Sequence, residues 1–240
     1  MKNHLNIGCI IADIDEFAPL YDKKEELGAE EISVFKRKGL RFCLKDGEKS
    51  VTVTALHCGI GMVNAASFTT YLVDSGADIL LNAGLSGGIS NIARGEIMCA
   101  DKYIEHDFDL TPLGYAPCEK PGQEYIYSAD DKLVALAKKL FPEIKIGTAV
   151  SGDSFISDAE KKQYFKDTFD AMSCDMESGA IASVCHSADI PFLSIRRVSD
   201  DAGDSAVDSY VSMNSLREAV LCDLLVDMCK GILKCENFFI

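Results

Sequence analysis

Residues 51–88, VTVTALHCGIGMVNAASFTTYLVDSGADILLNAGLSGG, contain a strand, a glycine turn, a helix and a second strand in succession. Apolar residues alternate over 51–57, as in a β-strand, and a Gly-Ile-Gly turn follows. Apolar side chains recur at helical spacing over 63–73, and another short apolar strand is predicted over 79–83. The glycine-rich segment 84–88 is expected to be a loop at the end of that strand. A helix between two strands favours a parallel β-sheet.

The same alternation of strands and helices extends outward in both directions. Residues 5–11 predict a buried strand with a helix directly after it. A helix over 130–141 precedes a strand over 144–150, and the apolar spacing of 212–232 predicts a long closing helix. The sequence therefore predicts an α/β protein, a three-layer α/β/α sandwich with a central, mainly parallel twisted sheet. No linker or repeat divides residues 1–240, so we expect a single domain.

The composition and the net charge favour a globular protein with a large core over a protein that binds nucleic acid or membranes. Hydrophobic residues make up 48% of the chain, which supports a large core, and the formal net charge is −14. A negative surface repels phosphate backbones and anionic lipids, so nucleic acid and membranes are not expected partners. No apolar run approaches the roughly 20 residues that span a bilayer, and no targeting segment is expected.

The ten cysteines contain no Cys-x-x-Cys pair. Metal-ligand spacing is therefore absent, and no metal site is expected. Cys9 lies in the apolar run Ile7-Gly8-Cys9-Ile10-Ile11, where a reduced thiol acts as a small hydrophobic group. This pattern is typical of a protein in the reducing cytoplasm.

Neither glycine segment matches a cofactor fingerprint. Gly59-Ile60-Gly61 lacks the third glycine of a dinucleotide site, and residues 84–88 have no following Lys-Ser/Thr of a phosphate-binding loop. No cofactor is expected. Two ordinary strand-to-helix turns would explain both segments, whereas a ligand that approaches the second one would also meet the Ser86 hydroxyl.

Three carboxylates are expected near the ends of strands. Glu16 lies just beyond the first strand, Glu177 stands at the start of a core-facing helix, and Asp200 follows a buried strand that includes residues 191–195. In an open α/β sheet the crevice beyond the strand carboxyl ends binds ligands, so Glu177 and Asp200 can reach one pocket. Each also has a structural explanation, Glu177 as a helix N-terminal anion and Asp200 as a loop cap.

Seven motifs follow one another in a fixed order along the chain. They are residues 7–16, Gly59-Ile60-Gly61 with Asn64-Ala65-Ala66, 82–88, His106-Asp107 with Gly114-Tyr115, 151–156, 175–180 and 196–200. In this order the chain resembles the nucleoside phosphorylase superfamily, and within it the bacterial 5′-methylthioadenosine/S-adenosylhomocysteine nucleosidases. The resemblance spans residues 5–210 and implies hydrolysis of an N-glycosidic bond, which releases adenine and a thio-ribose.

The resemblance also implies roles for individual residues. Glu16 would orient and deprotonate the attacking water, and Asp200 would deliver a proton to adenine N7. Met176 would pack on the ribose, and Glu177 would hold its hydroxyls.

Other matching positions complete the implied site. Phe155 and Ile156 correspond to the segment that stacks on adenine and reads its edge through the backbone. Tyr210 corresponds to an aromatic residue over the ribose and thio-substituent. Ser86 and Arg196 are further substrate-binding candidates. A homodimer, with a partner residue near each pocket, is implied as well.

The expected chemistry agrees with these roles. Breaking an N-glycosidic bond builds positive charge on the ribose and negative charge on the departing purine, so an acid at N7 stabilises the leaving group. For Asp200 to donate at neutral pH its pKa must be raised, through burial or a hydrogen-bonding neighbour such as Ser199.

Phosphorolysis by a purine nucleoside phosphorylase is the main alternative, because both branches share the Met-Glu pair. Phosphorylases carry an arginine just before the second glycine segment, where this chain has Leu81-Asn82-Ala83-Gly84. Arg196 and Arg197 are candidate phosphate ligands, but side chains alternate along a strand, so only one of them is expected to face the pocket. Water is therefore the expected nucleophile. A non-catalytic nucleoside-binding module is the second alternative, although a binder has no use for a water-activating acid.

Two positions depart from the family pattern. Leu85-Ser86 stands where a Ser-Ala pair is frequent, which displaces a hydroxyl by one residue. Asp175 replaces the more frequent Glu, and its side chain is shorter by one methylene group.

Overall fold

The computed structural model describes residues 2–217 and 219–239. Its helices and strands are β1 (His4–Ile11), α1 (Ile14–Asp22), β2 (Glu30–Val34), β3 (Arg37–Asp46), β4 (Lys49–His57), α2 (Met62–Asp74), β5 (Ile79–Gly88), β6 (Ile97–Glu105), β7 (Ile126–Ser128), α3 (Asp131–Leu140), β8 (Lys145–Ser151), α4 (Ala159–Phe169), β9 (Ala171–Asp175), α5 (Ser178–Ser187), β10 (Phe192–Asp200), α6 (Ala206–Asn214) and α7 (Val220–Lys234), with short 3₁₀ turns at Thr111–Leu113 and Glu236–Phe238.

Within the described residues, ten strands form one sheet in the order β10-β6-β8-β9-β5-β1-β4-β3-β2, with β7 paired to β6. Strands β4, β1, β5 and β10 are parallel to one another, and β6, β8 and β9 form a second parallel group. Antiparallel pairs join the two groups and add β2, β3 and β7. Because β10 pairs with both β5 and β6, this half of the sheet curls into a ring.

Helices cover the sheet in two groups. Helix α7 packs on β3, β4 and β5 and is flanked by α1 and α3, whereas α2 and α5 pack together and contact β1, β6 and β8. Strand β1 is accordingly buried over most of its length, as expected for a parallel strand covered on both faces. The predicted α/β sandwich with a mainly parallel sheet is confirmed.

Two predicted elements were wrong. The glycine segment 84–88 is not a loop, because β5 continues to Gly88 and its backbone pairs with β10 and β9. The closing helix predicted over 212–232 is two helices, α6 and α7. The chain turns between them, where Arg217 has a φ of 45°, a left-handed value that does not continue a helix. Glu218, which the predicted helix includes, lies outside the described residues.

Reduced cysteines and the absence of a membrane-spanning segment were two further expectations from the sequence. All ten cysteines are free thiols, and most of them are buried. Among the helices of residues 2–217 and 219–239, none combines the length and the apolar character required to cross a bilayer.

Candidate active site

A cavity of about 310 Å³ lies beyond the carboxyl ends of β1, β5, β9 and β10. This volume is at the lower end of the range for small-molecule sites, and the position is the usual ligand crevice of α/β sheets. All the site residues predicted from the sequence line it, apart from Arg196: Glu16, Ser86, Phe155, Ile156, Met176, Glu177, Asp200 and Tyr210. The structure therefore brings together residues from six separate segments of the chain.

Glu16 is held in the first turn of α1. Asp13 is the N-cap residue of this helix, and the Glu16 side chain accepts a hydrogen bond from the Asp13 backbone N–H, so the two residues form a capping box. The other carboxylate oxygen accepts the Leu85 backbone N–H at 2.7 Å. Burial raises the pKa of Glu16 from 4.5 to about 8, against the opposing effects of the Leu85 N–H and the Arg196 charge.

Glu177 lies between the end of β9 and the start of α5, with its side chain only 6% exposed. Its Oε1 accepts the Gly61 backbone N–H at 3.1 Å, and its Oε2 lies 3.5 Å from Arg196 Nη1. Burial and the nearby Asp175 raise the pKa of Glu177, while Arg196 and the Gly61 N–H oppose the rise. Glu177 is thus fixed at both oxygens before any ligand binds.

Arg196 lies behind the cavity wall, and its side chain is 1% exposed. Its Nη2 donates to Asn82 Oδ1 at 2.6 Å, its Nη1 to the Leu85 carbonyl at 3.2 Å, and its Nε to Ser194 Oγ at 3.0 Å. A methyl group at Gly84 would lie 2.6 Å from Arg196 Nη1, so the glycine leaves room for the guanidinium. Arg196 therefore contacts the acids of the site without lining the cavity.

Asp200 is the last residue of β10 and is almost fully buried. Its Oδ1 accepts the Ala202 backbone N–H at 2.8 Å. Burial raises its pKa, and hydrogen bonds donated by Ser199 and Ala202 oppose that rise. Burial, rather than a hydrogen bond donated by Ser199, therefore causes the raised pKa that Asp200 needs if it is to donate a proton at neutral pH.

The Ser199 hydroxyl nevertheless suits a protonated Asp200. Its Oγ lies 2.7 Å from Asp200 Oδ2 and 3.1 Å from the Ser86 carbonyl oxygen. A hydroxyl has one proton and can donate only one of these two hydrogen bonds. Both contacts are hydrogen bonds only when Asp200 is protonated and donates its O–H to Ser199 Oγ. Ser199 then donates to the Ser86 carbonyl.

Ser86 and two aromatic residues form other parts of the wall. The Ser86 Oγ is buried and has no hydrogen-bond partner within the described part of the chain, so it is available to a ligand. The rings of Phe155 and Tyr210 meet edge-on, with their centroids 5.5 Å apart. The Tyr210 hydroxyl lies 3.5 Å from Asp13 Oδ2, which connects helix α6 to the start of α1.

Sequence reasoning missed several residues that line the cavity, among them Asp13, Ile60 and Cys174. The Asp13-x-x-Glu16 spacing is a capping signal that could have placed Asp13 beside Glu16. Ile60 lies within the Gly-Ile-Gly turn and Cys174 directly before the acidic motif, but nothing in their residue types indicates a ligand contact.

Comparison with known proteins extends these observations. Residues 6–228 match the family model described as the phosphorylase superfamily. The chain is 36% identical over 233 residues to the 5′-methylthioadenosine/S-adenosylhomocysteine nucleosidase of Staphylococcus carnosus, an alignment that covers 94% of this chain and 100% of that protein.

Solved structures show the same similarity. The S-adenosylhomocysteine nucleosidase of Streptococcus pyogenes, in complex with 5-methylthiotubericidin, superposes with a TM-score of 0.86 at 27% identity and covers 95% of this chain and 98% of that chain. The nucleosidase of S. pneumoniae, with the transition-state inhibitor MT-ImmA, gives a TM-score of 0.83 at 27% identity, with 95% and 100% of the chains covered. The family model matches most of the chain, and the S. carnosus relative is 36% identical along its whole length. The chain therefore belongs to the phosphorylase superfamily.

Proposed function

We propose that this protein hydrolyses the N-glycosidic bond of 5′-methylthioadenosine and S-adenosylhomocysteine, releasing adenine and the thio-ribose. The observation that carries this proposal is a single cavity lined by Glu16, Glu177 and Asp200, whose pKa values are all raised. Perturbed acids that converge on one cleft are typical of catalytic sites. The nucleosidase from S. carnosus, 36% identical, supports the choice of substrate.

The reaction assigns a separate task to each acid. The water oxygen forms a bond to ribose C1′ while the bond from C1′ to adenine N9 breaks and its electron pair leaves with the purine. Asp200 donates its proton to adenine N7, and Glu16 takes a proton from the attacking water. Glu177 binds the ribose hydroxyls, and its charge complements the positive charge that develops on the sugar.

The remaining wall residues are proposed to bind the nucleoside. Met176 packs on the ribose, Phe155 and Ile156 on the adenine, and Tyr210 over the ribose and the thio-substituent. The unpartnered Ser86 hydroxyl donates a hydrogen bond to the ligand. These assignments follow from the resemblance and from the position of each side chain on the cavity wall.

Water is favoured over phosphate as the nucleophile by the charge of the cavity. Within the described part of the chain, no Lys or Arg lines the wall. Arg196 was a candidate phosphate ligand from the sequence, but in the structure it donates to Asn82, Ser194 and Leu85. A phosphate dianion beside Glu16 and Glu177 would lack a free cation, so phosphorolysis is disfavoured.

A homodimer and a cytoplasmic location are parts of the same proposal. Ile60, Val63 and Phe155 are apolar but 48%, 75% and 41% exposed, and Ile60 and Phe155 line the cavity. Exposed apolar groups beside a site favour an interface with a second copy of the chain. Light scattering would then detect a dimer, and the Val63→Asp variant is expected to be monomeric. The many buried free thiols suit the reducing cytoplasm.

The test of the proposed function is adenine release from 5′-methylthioadenosine, S-adenosylhomocysteine and 5′-deoxyadenosine, each with and without phosphate. Release without phosphate is expected. Release only with phosphate would establish a phosphorylase, and no release in either condition would favour a binding module.

A further inference from the structure

Asp175 is a buried carboxylate that the proposed reaction does not use. Its side chain is 1% exposed, and it lies in ion-pair contact with the equally buried Arg196. We propose that Asp175 is a positioning residue, which holds Arg196 in place and sets the charge balance around Glu177 and Glu16. This inference rests on the proposed hydrolysis, because it concerns how the acids of that reaction are prepared.

The Asp175 carboxylate is surrounded by hydrogen-bond donors. Oδ1 accepts from Ser151 Oγ at 2.7 Å, from the Ser178 backbone N–H at 2.8 Å and from the Glu177 backbone N–H at 2.9 Å. Oδ2 accepts from Ser178 Oγ at 2.5 Å and lies 3.2 Å from Arg196 Nε. Every one of these donors favours the ionised form, because a carboxylate accepts more strongly than a neutral acid.

The ionisation of Asp175 follows from these contacts. Burial alone would raise its pKa, but Arg196, Ser178 and the surrounding N–H groups hold the pKa below its ordinary value. Asp175 is also the acid that replaces the family's longer Glu. The two serine hydroxyls and Arg196 reach the shorter side chain, so the departure at this position preserves a bound carboxylate.

Arg196 is connected to both Glu177 and Glu16. Arg196 Nη1 donates to the Leu85 carbonyl and lies 3.5 Å from Glu177 Oε2. The N–H of the same Leu85 donates to Glu16 Oε1. A change in the position or charge balance of Arg196 is therefore transmitted to Glu177 directly and to Glu16 across one residue.

The positive charge of Arg196 acts on three acids. Arg196 is in ion-pair contact with Asp175 and Glu177, and its charge also acts on Glu16. Burial raises the pKa values of Glu16 and Glu177, and the ionised Asp175 offsets part of the guanidinium charge that lowers them. Replacing Asp175 by a neutral residue would leave the Arg196 charge to be shared by Glu177 and Glu16, whose pKa values would fall.

Glu177 also faces Glu16, and its charge raises the Glu16 pKa. The remaining groups that face Glu16 stay unchanged in this comparison. They are Asp13 from the cap of α1, the Tyr210 hydroxyl from α6 and the Cys58 thiol that follows β4. Their contributions cancel when the variant and the parent protein are compared, so a shift in the profile reports on Asp175.

The experiment is the pH profile of kcat/KM for 5′-methylthioadenosine in the parent protein and in Asp175→Asn. In the parent, kcat/KM is expected to rise with pH as Glu16 ionises, with a midpoint near its pKa of about 8. In Asp175→Asn the midpoint is expected at a pH lower by about one unit, together with a loss in kcat of about tenfold or more. Asp175→Glu restores the charge and is expected to restore the midpoint.

Ser173→Ala is the matched control. Ser173 lies on the same strand, is fully buried, and its Oγ has no partner within the described residues. This variant is expected to keep the parent midpoint. A folded Asp175→Asn protein with the parent midpoint would overturn the proposal, as would a midpoint in Asp175→Glu that matches Asp175→Asn.

A double variant covers the case in which Asp175→Asn does not fold. Asp175→Asn with Arg196→Gln removes both charges together, which avoids an unpaired buried charge. If Asp175 acts through Arg196, the double variant loses no more activity than Arg196→Gln alone, within about threefold. A loss in the double variant that exceeds the loss in Arg196→Gln by clearly more than threefold would overturn the proposal. An inactive parent protein would instead contradict the proposed function, so the two failures are distinguishable.

Discussion

Glu177 accepts a hydrogen bond from the Gly61 backbone N–H at 3.1 Å, which connects the proposed ribose-binding carboxylate to the start of helix α2. Gly61 has a φ of 104°, which residues with a side chain rarely adopt. The next backbone N–H, of Met62, donates to Asp153 Oδ1 at 2.7 Å. Segments that follow β4, β8 and β9 therefore meet at one point, and Glu177 reaches the cavity already oriented.

Glu177→Ala is expected to weaken both substrate binding and turnover. Contacts with the ribose hydroxyls serve the bound substrate and strengthen as positive charge develops on the sugar, so KM rises and kcat falls. If Glu177 only stabilised the start of α5, the variant would lose about 1 kcal/mol of unfolding free energy and retain its activity. Steady-state kinetics together with thermal melting separate these outcomes.

Gly84→Ala is expected to reduce kcat by at least about tenfold while the protein still folds. Its new methyl group would lie 2.6 Å from Arg196 Nη1 and 3.2 Å from Glu16 Oε2, so both side chains must move. A displacement of about 1 Å in a catalytic group is enough for a large loss in rate. Kinetics at saturating substrate provide the measurement.

Gly47→Ala is the control for this substitution. Gly47 has a φ of 59° with open space around it, so alanine there costs stability through backbone strain alone. Reduced melting temperature with normal kcat is expected. If both alanine variants lost activity in proportion to their stability, Gly84 would have no specific role beside Arg196.

The strand-end positions of the acids could be predicted from the sequence, because apolar runs mark the strands and the residues that follow them share one edge of the sheet. The meeting of Glu177 and Asp200 in one cavity followed from this rule, as did the position of Glu16 beyond the first strand. The contacts of Asp175 could not, since Ser151 and Arg196 lie 24 and 21 residues away along the chain and nothing local indicates that they meet. Long-range pairing also explains why the segment 84–88 proved to be strand: glycines carry no apolar pattern, and the partners on β9 and β10 come later in the sequence.

Glu16→Gln is expected to reduce turnover by about 10²- to 10⁴-fold with little change in substrate affinity. The single amide oxygen can still accept the Leu85 N–H, and only the longer contact with the Asp13 N–H, at 3.4 Å, is lost, but the amide cannot take a proton from water. Single-turnover kinetics and binding of a non-hydrolysed analogue measure the two effects. Near-normal turnover would remove Glu16 from the mechanism.

The stability of the protein is expected to depend on pH through Glu16. Its pKa is about 8 in the folded state against 4.5 ordinarily, so the folded state binds the proton more tightly than the unfolded chain. Stability from this group is therefore fully present below about pH 4.5 and is lost as the pH rises through 8. Melting temperatures from pH 5 to 9 should fall more steeply in the parent than in Glu16→Gln, and parallel curves would contradict the raised pKa.

Asp200→Asn is expected to slow the release of adenine far more than the release of a leaving group that needs no proton. Asp200 is buried at the end of β10 and its pKa is raised, and the Ser199 hydroxyl can accept a hydrogen bond from the protonated carboxyl while it donates to the Ser86 carbonyl. An amide cannot deliver a proton to adenine N7, so a loss of about 10²- to 10⁴-fold is expected on 5′-methylthioadenosine. With a ribosyl substrate that carries a nitrophenylthio leaving group, much of this loss should disappear, because that group departs as a stable anion. The comparison is made as kcat/KM for both substrates in both proteins. Equal losses on the two substrates would mean that Asp200 shapes the pocket, and the proton for the departing adenine would have to come from another group.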